Sequence, residues 1–200
     1  MLDSDVMSIA AESSEIDFQI GGSDGANGNR HMIVWRPTKK AAARLGITLE
    51  ENPPAATSRL GDWYVNIVPT VAGELYVFVS DATLLTVAVP THEIDVYRFF
   101  VLRVANLLSM IGLSQHLIED ELQHYRDVKF GKSQSRSILG SMNEMAFQLQ
   151  TMADRDAQPN KPLSLSNAER FLAEVPHSPL SYHSPRKVAL KMLSTPGHVV

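Results

Sequence analysis

The hydrophobic and polar positions between residues 63 and 89 give the clearest structural signal in the chain. Three runs, 63–68, 74–79 and 83–89, are rich in aromatic and β-branched residues, and only short connections separate them. Such runs are typical of strands and the short connections indicate hairpins, so we predict an antiparallel meander. The middle run is apolar at successive positions, which indicates that both faces of the sheet are at least partly covered.

A long apolar helix is predicted to follow the meander. Over residues 93–111 the polar side chains fall on one stripe when placed at 100° per residue, and nearly every other position is apolar. The polar positions are Asp95, Arg98, Arg103, Asn106 and Ser109. We therefore expect this helix to be central to the core and mostly buried against the sheet.

Weaker patterns predict the remaining elements. Short strands are expected at 32–35 and 127–130, and helices at 37–45, 114–125, 137–152, 166–175 and after Pro185. The apolar side chains of the helix at 137–152 include Ile138, Met142, Met145, Phe147 and Leu149. The sequence thus predicts an α+β fold, in which an antiparallel three- to five-stranded sheet packs on a mostly buried central helix, with further helices towards the C-terminus.

Charge divides the chain into two parts. Residues 1–29 contain six acidic residues and no Lys or Arg, and because the whole chain has a formal charge of −4, residues 30–200 carry +2. The glycine-rich stretch at 21–29 is typical of a flexible linker. We predict an acidic flexible N-terminal arm over 1–29 and a single α+β domain over 30–200. The arm is either a solvated tail or a segment that docks on a basic surface, where residues 16–20 could add a strand.

Composition excludes several classes of protein. Hydrophobic residues make up 44% and charged residues 20% of the chain, which is ordinary for a globular domain. The chain has no cysteine, which excludes disulfides, thiolate nucleophiles and cysteine-ligated zinc. Residues 1–14 lack the basic start of an export signal, and polar side chains interrupt the most apolar segment, 94–113. We therefore expect no membrane span and a cytoplasmic location.

Two motifs that suggest ligand chemistry have simpler interpretations. Gly131-Lys132-Ser133 resembles the end of a phosphate-binding loop, but Arg126 occupies the position where that loop requires a glycine. His116, Asp120 and His124 recur every four residues, as metal ligands on a helix can. His116 and Asp120 point away from the predicted apolar face, however, which indicates a solvated surface. We predict no metal site and no cofactor.

One short motif suggests a metal-dependent nuclease. Asp127-Val128-Lys129 matches the D-x-K pattern, in which the carboxylate holds Mg²⁺ and the lysine positions the attacking water. A second acid, Asp62 or Asp81, would have to reach the same cation. The competing interpretation is a surface strand, since matches of three residues are frequent by chance.

The segment between residues 129 and 136 is a candidate binding surface. Cationic side chains lie among serines just before a predicted helix, and helix N-termini with nearby cations favour anions. A solvated basic loop is the competing interpretation. Gly140, inside the helical pattern, indicates either close helix packing or a polar pocket. The candidate anion- or partner-binding residues are Lys129, Lys132, Ser133, Arg136, Ser141 and Asn143.

Four strings of residues resemble a family of proteins. They are Leu60-Gly61-Asp62-Trp63-Tyr64, the 81–85 segment, the 135–143 segment with its Arg-Ser-Ile-Leu-Gly-Ser-Met-Asn string, and the 176–180 segment. Over about residues 32–193 the chain resembles a bacterial domain family of unknown function. The resemblance implies a single α+β domain in bacteria or their mobile elements, and provides no catalytic residues. Asp62 and Trp63 mark the edge of the first motif, whose glycine indicates a demanding turn or a functional site.

The sequence favours a non-enzymatic role. With no convincing catalytic set, we expect a protein-binding or regulatory module that acts in bacterial regulation or phage–host conflict and binds another protein. The alternative is a nucleic-acid-binding protein or metal-dependent nuclease that uses the 127–136 segment. The small net charge of the predicted domain argues against a large basic face of the kind that nucleic-acid readers present.

Overall fold

A computed structural model describes residues 31–71, 73–156 and 164–195. The predicted N-terminal arm therefore lies outside the described residues. The strands are β1 (Met32–Pro37), β2 (Trp63–Thr70), β3 (Gly73–Ser80), β4 (Thr86–Pro90) and β5 (Asp127–Phe130). The helices are α1 (Lys39–Leu45), α2 (Val96–Met110), α3 (Gln115–Leu122), α4 (Arg136–Asp156), α5 (Leu165–Glu174) and α6 (Pro185–Ser194), and a short 3₁₀ helix spans Ser178–Leu180.

The five strands form one mixed sheet in the order β4-β3-β2-β1-β5. The predicted meander is confirmed, because β2, β3 and β4 pair antiparallel. The prediction of an antiparallel sheet does not extend to the other two strands, since β1 pairs parallel with both β2 and β5. The α+β class is confirmed.

The turn between β3 and β4 is longer than the sequence predicted. The Ser80 hydroxyl accepts a hydrogen bond from the Thr83 backbone N–H at 3.1 Å and lies 2.8 Å from the Thr83 hydroxyl. Leu84 has φ +58°, a left-handed conformation that a strand does not allow. β4 consequently begins at Thr86 rather than at Thr83.

Helix α2 packs on one face of the sheet, as its apolar circumference predicted. Phe100 at its centre lies 4.6 Å from Phe78 and 5.1 Å from Trp63, measured between ring centroids. Trp35 completes the group at 4.8 Å from Phe78. Burying each ring stabilises the fold by about 1.5–3 kcal/mol, and edge-to-face contacts add to this. This aromatic cluster is the centre of the larger core.

Helices α4 and α5 cover the opposite face of the sheet. Met142 and Met145 of α4 and Leu172 of α5 are buried against Val77 and Val79 of β3. The sheet thus has a helical layer on each side, and its middle strand is buried on both faces as predicted.

Helix α5 also covers the free edge of β4 through one buried carboxylate. Glu169 accepts a hydrogen bond from the Ala88 backbone N–H at 2.8 Å and binds the Arg103 guanidinium of α2 at 3.0 and 2.5 Å. Asn106 of α2 donates to Ser166 at 3.3 Å. Part of the polar stripe predicted on α2 therefore contacts α5. Through Glu169, α5 in turn satisfies a backbone group at the edge of β4 that would otherwise be unpaired.

The Arg103–Glu169 pair yields a prediction about stability. Burial raises the pKa of Glu169 to about 7, and the Arg103 guanidinium acts in the opposite direction. Arg103→Leu should lower the free energy of unfolding by about 3 kcal/mol, because it leaves a buried carboxylate without its cation. Glu169→Gln should lower it less, since the amide oxygen can still accept the Ala88 N–H. Urea denaturation of both variants measures the difference, and equal losses would contradict this role for Arg103.

Candidate functional site

The Leu60–Tyr64 motif forms a tight entry into β2. Gly61 has φ +73°, and a Cβ added there would collide with the Asp81 carboxylate. Trp63 is buried and its Nε1–H donates to the Tyr125 hydroxyl at 3.1 Å. The glycine in the motif is thus required by a turn, and the tryptophan belongs to the core.

Two carboxylates meet at this turn. The Asp81 side chain accepts a hydrogen bond from the Asp62 backbone N–H at 2.9 Å, and the Asp62 carboxylate pairs with Arg36 Nε. Burial, followed by the neighbouring Asp62 carboxylate, raises the pKa of Asp81 to about 6. An acid with a raised pKa is often functional, but here the Asp81 carboxylate accepts the Asp62 backbone N–H and the Asp62 carboxylate pairs with Arg36, so both support the fold.

Arg36 also connects this turn to the segment that follows β5. Its Nη1–H donates to the Lys132 carbonyl at 2.7 Å. The Ser133 hydroxyl lies 3.0 Å from the Arg36 carbonyl, to which it donates. The Ser135 N–H donates to the Tyr64 hydroxyl at 3.0 Å. The two motifs are therefore in contact, and we call the group Arg36, Tyr64, Lys132, Ser133 and Ser135 the motif junction.

The predicted anion-binding groups are mostly engaged within the chain. Lys132 pairs with Glu51, and Lys129 lies 3.7 Å from Asp127. The Ser135 hydroxyl accepts from the Ile138 N–H at 3.3 Å at the start of α4. Arg136 is exposed and forms no ion pair with any residue that the structure describes. Anion or partner binding at this segment stays a prediction that rests mainly on Arg136.

The elements of the D-x-K interpretation lie apart from the second acids proposed for it. Asp127 pairs in register with Met32 on one side of β1, whereas Asp62 precedes Trp63, which pairs with Trp35 on the other side of β1. The two acids are therefore two strand spacings apart, about 10 Å across the sheet. Among residues 31–71, 73–156 and 164–195, no group of three His, Asp or Glu side chains is placed to hold a metal ion.

The Gly140–Asn143 string has one buried side and one exposed side. Gly140 is exposed, and a Cβ added there would meet no atom within 4 Å, so no other described element packs closely against Gly140 itself. Ser141 and Met142 are buried while Asn143 is exposed. The string is one turn of α4, so its buried side chains pack towards the sheet and its exposed residues face outwards.

Sequence reasoning missed an exposed aromatic side chain on the same helix. Phe147 was assigned with the apolar positions of α4, yet 69% of it is exposed. It shares its side of the helix with Arg136, Gly140, Asn143 and Glu144, which are exposed as well. We call these five residues the α4 outer face. Exposed aromatics are common at binding surfaces, but their periodicity matches that of buried positions and gives no separate signal.

A strained hairpin lies beside the α4 outer face. His177 and His183 form an antiparallel bridge around the 3₁₀ helix, and His177 is 98% buried, with Nδ1 3.8 Å from the Glu144 carboxylate. Ser181 and Tyr182 have φ of +52° and +60°. Tyr182 is 76% exposed. Two successive non-glycine residues in this conformation store strain, which concentrates at functional sites.

A shallow depression of about 330 Å³ lies on the other side of the domain, lined partly by Glu121 and His124. Glu121 is buried, and its carboxylate accepts from the Ser58 hydroxyl at 2.5 Å and from two backbone N–H groups. His124 Nδ1 lies 3.0 Å from His31 Nδ1, away from His116, which remains 3.7 Å from Asp120 on the exposed surface. Glu121 and His124 are thus engaged with other residues of the fold. His116 and Asp120 are exposed, which agrees with the interpretation of their surface as solvated.

A family model described as Domain of unknown function (DUF6933) matches residues 34–188. The chain belongs to the DUF6933 family. The match runs from β1 into α6 and so includes the motif junction, the α4 outer face and the 177–183 hairpin. No curated protein has significant similarity to the chain. Within the part of this DUF6933 chain that the structure describes, no helix is long and apolar enough to cross a membrane.

The raised pKa of Asp81 predicts an effect of pH on stability. The carboxyl binds its proton more tightly in the folded protein than in the unfolded chain, so its contribution is most favourable below about pH 4 and is lost as the pH rises through 6. Asp81→Asn keeps an oxygen for the Asp62 N–H and removes the charge. It should raise the free energy of unfolding at pH 8 by about 1 kcal/mol, a value that already allows for solvent screening. At pH 4 it should change the free energy of unfolding little.

Urea denaturation of wild type and Asp81→Asn at both pH values checks this expectation. Equal differences between variant and wild type at pH 4 and pH 8 would show that the charge of Asp81 is not destabilising.

Proposed function

We propose that this domain is a non-enzymatic protein-binding or regulatory module, and that the α4 outer face with Tyr182 forms its binding surface. The observation that carries the proposal is the exposure of Phe147 on a helix that is otherwise well packed. Burying one such ring against a partner contributes about 1.5–3 kcal/mol, and aromatic side chains dominate the energetics of protein interfaces.

The hairpin supports the same surface. The Tyr182 N–H donates to the His177 carbonyl at 3.0 Å, and His177 approaches Glu144 of α4. The hairpin that carries Tyr182 therefore contacts the α4 outer face through His177, and its two left-handed residues store strain of the kind that concentrates at functional sites. Two exposed aromatic side chains flanked by polar groups resemble the composition of an interface centre.

The shifted acids of the domain favour a non-enzymatic role. Asp81, Glu121 and Glu169 have raised pKa values, and each accepts hydrogen bonds from backbone N–H groups. Since a catalytic acid or base needs access to a reacting group, acids committed to backbone amides are better explained as supports of the fold. We place the protein in bacteria or their mobile elements, in the cytoplasm and in regulation or phage–host conflict, as the resemblance of its motifs implies.

The nucleic-acid alternative has less support. Lys129 and Lys132 each pair with an acid, which leaves Arg136 as the cation of the predicted basic segment that forms no ion pair with any described residue. Affinity for a phosphate backbone grows with the number of cations that contact it, so one cation without an acidic partner favours weak binding at most.

Affinity purification from a bacterial lysate, with and without nuclease, tests the proposal. The wild-type domain should retain a stoichiometric protein after nuclease treatment. Phe147→Glu should lower the affinity for that protein by at least about tenfold, which corresponds to 1.4 kcal/mol. Ile94→Glu is the matched control, because Ile94 is a fully exposed apolar side chain before α2, in the opposite layer. Both variants should unfold at the wild-type temperature.

Two outcomes would overturn the proposal. One is retention of the same protein by Phe147→Glu. The other is co-purification of nucleic acid alone, lost when Lys132→Glu and Arg136→Glu are combined, which would establish the nucleic-acid alternative.

A further inference from the structure

The α4 outer face carries a projection and a gap at matched positions. Phe147 projects into solvent, and Gly140 leaves open space beside it on the same helix. They are seven residues apart, which places them about 10.5 Å apart along the axis and within about 20° of each other around it. A single stripe of α4 therefore contains both a knob and a hole.

This spacing makes the face complementary to itself. If two α4 helices pack antiparallel about a twofold axis that passes between Asn143 and Glu144, each Phe147 lies over the partner's Gly140. Both contacts then form together, as an isologous interface requires. Glycine at the hole also lets the Phe147 ring reach the partner's backbone while the helices keep the usual 8–10 Å or so between axes.

We propose that the α4 outer face binds a second copy of this chain, in an antiparallel pair of α4 helices with Phe147 packed on the partner's Gly140. The inference rests on the proposed function and names the partner of that surface. A foreign partner would have to supply its own matching projection and gap, whereas a second copy provides both at the required spacing.

The size of the contact indicates a reversible dimer. Phe147 and Tyr182 from two copies present four largely exposed aromatic side chains, which together would bury about 600 Å². Stable complexes bury about 1,200 Å² or more in total, and weaker associations lie below that value. We therefore expect monomer and dimer to exchange and the dimer to form as the concentration rises.

One residue limits the affinity. In an antiparallel pair the two Glu144 side chains lie on the same side of the twofold axis and close to it, so their carboxylates repel each other across the interface. The neighbouring His177 is on the same side of α4, at 3.8 Å from Glu144. Glu144→Gln removes the repulsion and should strengthen the dimer, an effect that a foreign partner would not predict.

Sedimentation velocity over about 1 to 300 µM protein measures the association, a range that spans micromolar affinity. Wild type should form a dimer as concentration rises, and Glu144→Gln should lower its dissociation constant several-fold. Gly140→Leu, which fills the hole, and Phe147→Ala, which removes the knob, should each stay monomeric. Gly140→Leu should melt no lower than wild type, because the position is open and leucine is the better helix former.

Mixing the two monomeric variants gives the sharpest test. In the mixed pair Phe147 of the Gly140→Leu chain meets the unchanged Gly140, and the introduced leucine meets the space left by Phe147→Ala. We expect a heterodimer from two chains that do not self-associate. A variant that fails only because it is misfolded cannot be rescued in this way.

The inference is overturned if wild type remains monomeric at the highest concentration, or if Gly140→Leu dimerises as wild type does. The proposed function fails separately. A monomeric wild-type domain that still captures a protein through Phe147 would remove the second copy as the partner and leave the binding surface in place.

Discussion

The contacts of Arg36 hold together the parts of the domain that are distant in sequence. Its guanidinium pairs with Asp62 at the entry to β2 and donates to the Lys132 carbonyl after β5. The side chain is largely buried, where the attraction between charges is less screened than at the surface. Without it, the Asp62 carboxylate would lie beside the Asp81 carboxylate without its Arg36 partner, and the segment leading into α4 would lose one of its attachments to β1, leaving the hydrogen bond from Ser133 to the Arg36 carbonyl.

The position of α4 follows from this junction. Ser135 accepts a hydrogen bond from Ile138 and donates one to Tyr64, which fixes where the helix begins and how it lies on the sheet. Once Met142 and Met145 are buried, Gly140 and Phe147 necessarily face outwards. The most distinctive string of the sequence therefore supports the fold with one side of the helix and leaves the other side for recognition.

Local sequence patterns predicted the helices and strands better than they predicted which of these elements pair with each other. The meander and α2 follow from alternation and helical periodicity, which depend on neighbouring residues. The parallel pairing of β1 with β5 joins segments about 95 residues apart, and neither strand carries a signal that specifies the other. Gly61 and Trp63 were singled out because glycine marks a demanding turn, but the role of Asp62 depends on Arg36, which the motif does not include. Phe147 matches the apolar period of α4 and was grouped with the other apolar positions of that helix, because the pattern does not distinguish a side chain that packs inwards from one that is exposed.

Hydrogen–deuterium exchange, compared between dilute and concentrated protein, tests most directly the claim that recognition occurs on α4 and not at the motif junction. The account predicts that concentration slows exchange in α4 around residues 140–147 and in the 177–183 hairpin, while the amides of residues 131–135 are unchanged. Slower exchange confined to 127–136, with α4 unaffected, would contradict it and return the binding surface to the basic segment.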